Sequence, residues 1–75
     1  MPLFLAPQGE TMQVLKISAD AKLCRHLEDL GIVPNCDITL LSTESGSMIV
    51  RVHDTRLALD RNIARSIMVR QKSVA

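Results

Sequence analysis

Aromatic residues are almost absent from this chain, which has no tryptophan, no tyrosine and one phenylalanine, Phe4. Small β-barrels that grip single-stranded nucleic acids usually stack the bases on exposed aromatic side chains. This scarcity argues against nucleic acid as a partner, and none is expected. A phosphate-contacting stripe of arginines is the weaker alternative; their simpler interpretation is as solvated strand faces and turns. These arginines are Arg51, Arg56, Arg61, Arg65 and Arg70.

A strong excess of charge of either sign is also lacking. The formal net charge is +1 at pH 7, so no global field draws the chain to a polyanion or to an anionic membrane. The charge is nevertheless uneven, because residues 1–42 carry −2 and residues 43–75 carry +3. An asymmetry of this size is typical of an ordinary solvated surface.

Long hydrophobic runs and dense cysteine patterns are missing as well. The apolar N-terminal stretch, residues 1–7, has no basic leader and is too short for a signal peptide or a membrane span. The two cysteines, Cys24 and Cys36, are fewer than a secreted domain of this length usually carries. We therefore expect a cytoplasmic protein with reduced thiols.

Its 75 residues form one domain, 1–75, with 1–7 as a short extended arm and 71–75 as a frayed tail.

Catalytic motifs are absent too. The three glycines, Gly9, Gly31 and Gly46, are isolated and form no phosphate-binding loop. No pair of carboxylates lies in an apolar frame, as a general acid and base would. Cys36 stands at the start of a predicted strand, where a lone cysteine is more often part of the core than a nucleophile. The sequence predicts no catalytic residue, and the protein is not expected to be an enzyme.

One helix is the best-defined element of the pattern. A first strand is predicted from Met12 to Ile17, and Ser18-Ala19-Asp20 then offers capping side chains. From Ala21 to Leu30, leucines recur at helical spacing along one narrow stripe. Gly31 suits the left-handed residue that ends a helix, and Pro34 prevents any continuation. The leucines of the stripe are Leu23, Leu27 and Leu30.

Short alternating segments after the helix predict a β-meander. Strands are expected at 37–42, 48–52, 56–59 and 67–69, separated by a hairpin loop at 43–47, a tight turn at 54–55 and a capped helical turn after Asp60. The fold class is therefore mainly β: a small five-stranded barrel with one α-helix inserted after the first strand and a short helical turn near the C-terminus. We expect the barrel to be closed, because closure removes exposed strand edges.

The cysteines and histidines are the candidate metal ligands of this chain. Cys24 and His26 are close in the sequence, but residues two apart on a helix project about 200° from each other and cannot share one ion. Cys24 with Glu28, or His26 with Asp29, could each present two ligands on one side of the helix. Such pairs are common by chance on helices, so Cys24, His26, Cys36 and His53 are weak candidates. No resident cofactor is expected, and the open alternative is a small metal-binding or metal-sensing module with weak Fe²⁺ or Zn²⁺ binding.

The order of these segments resembles the FeoA family. The stretch LCRHLEDLGIVP at 23–34 is similar to the helix, Leu-Gly-Ile and Pro-Gly signature of FeoA domains. VRV at 50–52 followed by RLAL at 56–59, then IA at 63–64 and IMV at 67–69, resemble the rest of the family pattern. Two glycines of that pattern are replaced by Asn35 and Asp54, residue types that tolerate a positive φ.

The resemblance implies an SH3-like barrel that acts by protein contact as a cytosolic helper of the ferrous iron permease FeoB. The membrane would then be reached only indirectly, through that partner, and a second copy of the chain is a further candidate partner. The same module is the C-terminal domain of DtxR-like repressors, but no DNA-binding domain accompanies it here. The helix and the following turn are expected to contact the partner through Leu23, Arg25, Leu27 and Ile32.

Overall fold

A computed structural model of the protein describes residues 1–72. These residues form five strands, two α-helices and one 3₁₀ helix. In order, they are the 3₁₀ helix Leu3–Leu5, β1 Thr11–Ile17, α1 Ala21–Asp29, β2 Asp37–Glu44, β3 Ser47–Val52, β4 Thr55–Asp60, α2 Arg61–Ser66 and β5 Ile67–Gln71. The predicted elements are all present, and the N-terminal 3₁₀ helix replaces the expected extended arm.

Local sequence explains both ends of α1. The Asp20 carboxylate accepts a hydrogen bond from the backbone N–H of Leu23 at 2.8 Å, which caps the first turn. At the other end Gly31 adopts φ +92°. The N–H of Gly31 bonds to the carbonyl of Glu28, and the N–H of Ile32 bonds to that of Leu27. This pairing is the Schellman motif, and it turns the chain back so that Ile32 enters the core.

The strands form one antiparallel sheet in the order β4-β3-β2-β1-β5. Strands β2 and β3 are joined by a two-residue turn at Ser45 and Gly46, whose φ angles of 36° and 84° match the positive values that tight hairpins need. The register shifts between Leu40 and Ser42 in β2, and between Val14 and Lys16 in β1. Such bulges sharpen the bend of a sheet and let it wrap around its own core.

The fold class is confirmed as SH3-like, but the expected closure of the barrel is wrong. No pairing joins β4 to β5 within residues 1–72. The helix α2 lies between these two strands in the chain and packs against both, which accounts for the gap. The free edge of β5 is instead covered by the N-terminus: the N–H of Val69 donates to the carbonyl of Met1 at 2.7 Å, and the Met1 amino group donates to the carbonyl of Val69 at 2.8 Å.

The core lies between the curved sheet and the elements that cover it. Alternating residues of the strands point inward, and Leu3 from the 3₁₀ helix, Leu27 from α1 and Ala64 from α2 are all fully buried with them. Hydrophobic burial of this kind is the main stabilising term of a small domain. The inward strand residues include Met12, Val14, Ile38, Leu40, Met48, Val50, Val52, Leu59, Ile67 and Val69.

The first two residues of the predicted frayed tail at 71–75 are described, and both make side-chain contacts. Gln71 belongs to β5 and donates to Glu10, and the Lys72 ammonium lies 2.7 Å from the Asp37 carboxylate. The remaining part of that prediction, residues 73–75, lies outside the described residues. Across residues 1–72, no helix has the length and hydrophobicity that a membrane crossing requires.

Candidate functional site

The inner side of α1 holds the helix on the sheet. Leu27 is its one buried residue and has no exposed surface, whereas Leu23 is half-buried. Ile32 in the following turn is also fully buried. Leu27 and Ile32 were expected to contact a partner, and their burial in the core corrects that expectation. Their apolar side chains pack into the core and hold α1 on its own domain.

Arg25 lies away from the leucine stripe. It is exposed on α1, but it follows Leu23 by two residues and therefore projects about 200° from it around the helix axis. The helix thus does not bring Leu23 and Arg25 onto one surface. Two apolar residues that the sequence did not single out as contacts are better placed: Leu30 is half-buried, and Val33 is 37% exposed. We call Leu23, Leu30 and Val33 the helix patch.

The four weak metal-ligand candidates are not brought together. Cys24 is half-buried, with its Sγ 3.5 Å from the carbonyl of Ala19, and Cys36 packs partly against the core. His26 is exposed on α1, and His53 is in the turn between β3 and β4. Among residues 1–72, no group of three or more His, Cys, Asp or Glu side chains is arranged to hold a metal ion.

The two positions where the chain departs from the FeoA pattern behave differently. Asn35 has φ 74°, as expected for a residue that takes the place of a turn glycine. In the turn between β3 and β4, however, the left-handed residue is His53, with φ 57°, and not Asp54. The imidazole of His53 also lies close to the end of α1, since a Cβ built on Gly31 would be 3.4 Å from its Cδ2 atom.

A second surface lies on the outer, polar side of the sheet. Its central feature is a shallow cleft of about 280 Å³ where β1, β2 and β3 run side by side. The cleft is lined by Thr11, Asp37, Thr39, Arg51 and His53. Of these, the sequence singled out His53 as a weak metal ligand and Arg51 as part of a possible phosphate-contacting stripe. It did not predict the cleft, because strand alternation shows which residues point outward but not which ones become neighbours across strands.

The sequence of the chain is similar to that of a known protein family. The family model of the FeoA domain matches residues 1–71. A protein of Methanocaldococcus jannaschii that carries the provisional name Fe(2+) transport protein A is 29% identical over 68 residues, which cover 91% of this chain and 83% of that protein.

Solved structures share the fold. The crystal structure of an iron uptake regulatory protein, FeoA, superposes with a TM-score of 0.87 at 25% identity, covering 96% of this chain and 97% of the other. A manganese-dependent transcriptional repressor superposes with a TM-score of 0.87 at 24% identity, covering 96% of this chain and 41% of the repressor. The match of the family model over nearly the whole described chain, joined to this fold, shows that the protein belongs to the FeoA domain family.

Proposed function

We propose that this protein assists cellular uptake of ferrous iron by binding the cytosolic part of a FeoB-type permease and adjusting its activity. The protein would work in the cytoplasm through contact alone, without catalysing a reaction. Membership of the FeoA domain family supports the link to iron uptake, as do the names carried by its similar proteins in the comparison.

The observation that supports the proposal is the way α1 packs against the rest of the domain. Only Leu27 of this nine-residue helix is buried, so the helix is attached along a narrow line. Leu23 and Leu30 lie on the same stripe as Leu27, pack against the core and are only half-buried, and Val33 beyond the end of the helix is 37% exposed. A partly exposed apolar strip on a helix suits contact with an apolar strip of another protein, because pairing the two removes both from water.

Contact is also the mode of action that the chemistry of the chain favours. The candidate nucleophiles Cys24 and Cys36 lie on separate elements, and neither has a histidine hydrogen-bonded to it among residues 1–72. An activated nucleophile needs a base within hydrogen-bond reach. A role in binding requires no reactivity of these two thiols, which need only pack within the fold.

The proposal is tested by measuring binding to the purified cytosolic domain of a FeoB-type permease. Leu23→Glu places a charge in the helix patch without emptying the core, since Leu23 is only half-buried. The matched control is Leu5→Glu, the same change at a leucine that is 60% exposed on the N-terminal 3₁₀ helix. We expect Leu23→Glu to weaken binding by about tenfold or more, and Leu5→Glu to leave it within about twofold.

Both variants must retain the circular dichroism spectrum and unfolding midpoint of a folded domain for the comparison to count. Absence of binding by the unchanged protein would refute the partnership itself. Equal binding by the Leu23→Glu variant would leave the partnership intact but remove the helix patch from it. Leu27 is unsuitable for this purpose, because a charge at a fully buried position reports folding and not contact.

A further inference from the structure

We propose that the polar outer side of the sheet is a second docking surface, which binds an acidic, extended polypeptide segment and seats one of its carboxylates in the cleft at Arg51. The surface differs from the helix patch, and the proposal does not depend on the identity of the permease partner. We call it the basic face and define it by Arg51, Arg56, Arg70, Lys72 and the cleft residues Thr11, Asp37, Thr39 and His53.

The strand register brings the basic face together. Thr11 pairs with Thr39, Thr39 pairs with Arg51, and Arg51 pairs with Arg56, so these four side chains form one row across four strands. Paired residues on neighbouring strands project from the same side of the sheet. Their inward neighbours, such as Ile38 and Val50, are buried, which fixes this row as the outer one.

A second row runs parallel to the first. Gln13 pairs with both Asp37 and Arg70, and the Arg70 guanidinium donates to the Gln13 side-chain oxygen at 2.9 Å. The residue that ends this row on the β3 side is His53, which lines the cleft beside Asp37. The positive excess of residues 43–75, which looked diffuse in the sequence, is thus partly concentrated on one surface.

Cations outnumber carboxylates on the basic face. It carries four basic side chains and one carboxylate, and that carboxylate, Asp37, is paired with Lys72. Within residues 1–72, neither Arg51 nor Arg56 has a carboxylate oxygen within 4.0 Å. Two guanidinium groups on adjacent strands are therefore free to bind an anion, and guanidinium groups can bind carboxylates through two parallel hydrogen bonds.

The floor of the cleft adds a hydroxyl donor. Thr39 is only 7% exposed, and its Oγ1 lies 3.2 Å from the Oγ1 of Thr11. Each hydroxyl has one proton, so this bond uses one and leaves the other for an acceptor. The floor donor and the Arg51 guanidinium together suit an oxyanion such as a carboxylate. Asp37 also lines the cleft, but its charge is balanced by the Lys72 ammonium at 2.7 Å.

The volume of the cleft indicates whether it fits a whole small molecule or one acidic group of a larger partner. A cleft of about 280 Å³ falls just below the roughly 300–1,000 Å³ of sites that enclose a whole small molecule, so it suits one acidic group of a larger partner. Strand β4, which carries Arg56, and strand β5, which carries Arg70, are four positions apart in the sheet, which is roughly 19 Å along its curved surface at a spacing of about 4.8 Å per strand. A span of roughly 19 Å matches about six residues of extended polypeptide.

An acidic segment fits this span better than free phosphate, which would occupy the cleft alone and leave the flanking arginines unused. Single-stranded nucleic acid is disfavoured because the basic face has no aromatic side chain on which a base could stack. The one aromatic ring of the chain, Phe4, lies instead against Arg65, whose guanidinium carbon is 5.5 Å from the ring centre.

The experiment titrates the full-length protein into a fluorescein-labelled peptide of alternating serine and glutamate, about six residues long, and follows fluorescence anisotropy. The peptide alternates because every second side chain of an extended segment faces the same way. A serine and glutamine peptide of equal length is the ligand control. Arg51→Gln removes the proposed guanidinium donor, Thr39→Val removes one of the two floor hydroxyls, and Arg61→Gln removes an equal charge from α2, outside the basic face.

We expect Arg51→Gln to weaken peptide binding by about tenfold and Thr39→Val by about threefold, with Arg61→Gln within about twofold of the unchanged protein. Binding should weaken as salt is raised, and it should be lost with the glutamine peptide. No peptide binding, or an equal loss with Arg51→Gln and Arg61→Gln, would overturn the proposal.

Two further measurements distinguish a peptide carboxylate from inorganic phosphate and from nucleic acid as the bound anion. Inorganic phosphate that displaces the peptide at concentrations below the peptide's own dissociation constant would show a small-anion site instead. An oligonucleotide that binds more tightly than the peptide would show a nucleic-acid surface, and the peptide proposal would fall. Failure of either kind leaves permease binding untouched, because that binding is tested at the helix patch.

Discussion

Leu27 is the residue on which the position of α1 depends most. It is the single fully buried side chain of the helix, and it packs into the same core as Ile32 and the inward strand residues. We expect Leu27→Ala to lower the free energy of unfolding by about 2–5 kcal/mol, since it removes buried carbon and leaves a cavity. Leu23→Ala, at a half-buried position, should cost clearly less. Urea unfolding of the two variants measures the difference, and equal losses would contradict the packing described here.

His53 is the residue at which the turn between β3 and β4 is strained. Its φ of 57° is a conformation that glycine adopts freely and that other residues adopt at some cost. We expect the His53→Gly variant to be more stable than the Asp54→Gly variant by about 1 kcal/mol. Both substitutions add conformational entropy to the unfolded state, but only His53→Gly also relieves the backbone strain. Thermal unfolding of both variants checks the prediction, which would fail if Asp54→Gly proved the more stable.

The cysteines and histidines give a prediction about metals. Since the four candidate ligands are not grouped within the described residues, titration with Fe²⁺ or Zn²⁺ under reducing conditions should show no micromolar binding that depends on Cys24. Isothermal titration calorimetry of the unchanged protein and of Cys24→Ser makes the comparison. Tight binding that disappears in the variant would favour the alternative role in metal sensing.

At the scale of elements, the two helices begin in the same way. Asp20 accepts from the N–H of Leu23, and Asp60 accepts from that of Ile63, both at 2.8 Å. We expect Asp20→Ala and Asp60→Ala each to destabilise the protein by about 1 kcal/mol, with Asp20→Asn and Asp60→Asn losing less because asparagine also caps helices well. Chemical denaturation of the four variants gives the values. An alanine variant as stable as its asparagine counterpart would show that the cap contributes little.

The helix caps, the glycine at the end of α1 and the alternation of the strands follow from residues close together in the chain. A capping carboxylate needs an N–H three residues away, and the Schellman motif needs only Gly31 and its neighbours. These elements were accordingly predicted with nearly the right bounds. The left-handed position in the turn between β3 and β4 was placed at Asp54, one residue too late, because Asp and His both tolerate a positive φ and the strand register chooses between them.

At the scale of the whole molecule, the N-terminal segment replaces the missing closure of the barrel. Leu3 is fully buried, and Met1 forms backbone hydrogen bonds with the outer edge of β5. We expect deletion of residues 1–6 to lower the melting temperature by about 10 °C or more, since it empties part of the core and exposes a strand edge.

The exposed edge should also make the truncated protein associate at high concentration, which size-exclusion chromatography can follow. Leu5→Ala is the control within the same segment, because Leu5 is largely exposed and its loss should change stability by no more than about 0.5 kcal/mol. A truncated protein with unchanged melting temperature and elution volume would show that the N-terminus does not hold the fold together.

By itself, the sequence determined the mainly β class, the inserted helix with its caps and the inward and outward sides of each strand, because these depend on neighbours within a few residues. Tertiary structure alone decided that Leu27 and Ile32 are buried while Leu23 is half-exposed, that the sheet stays open between β4 and β5, and that Arg51 meets Thr39 in a cleft. Those outcomes depend on strand register and on packing between residues far apart in the chain, where many weak contacts are optimised together. No local sequence pattern specifies this packing and register, so they are known only from the folded structure.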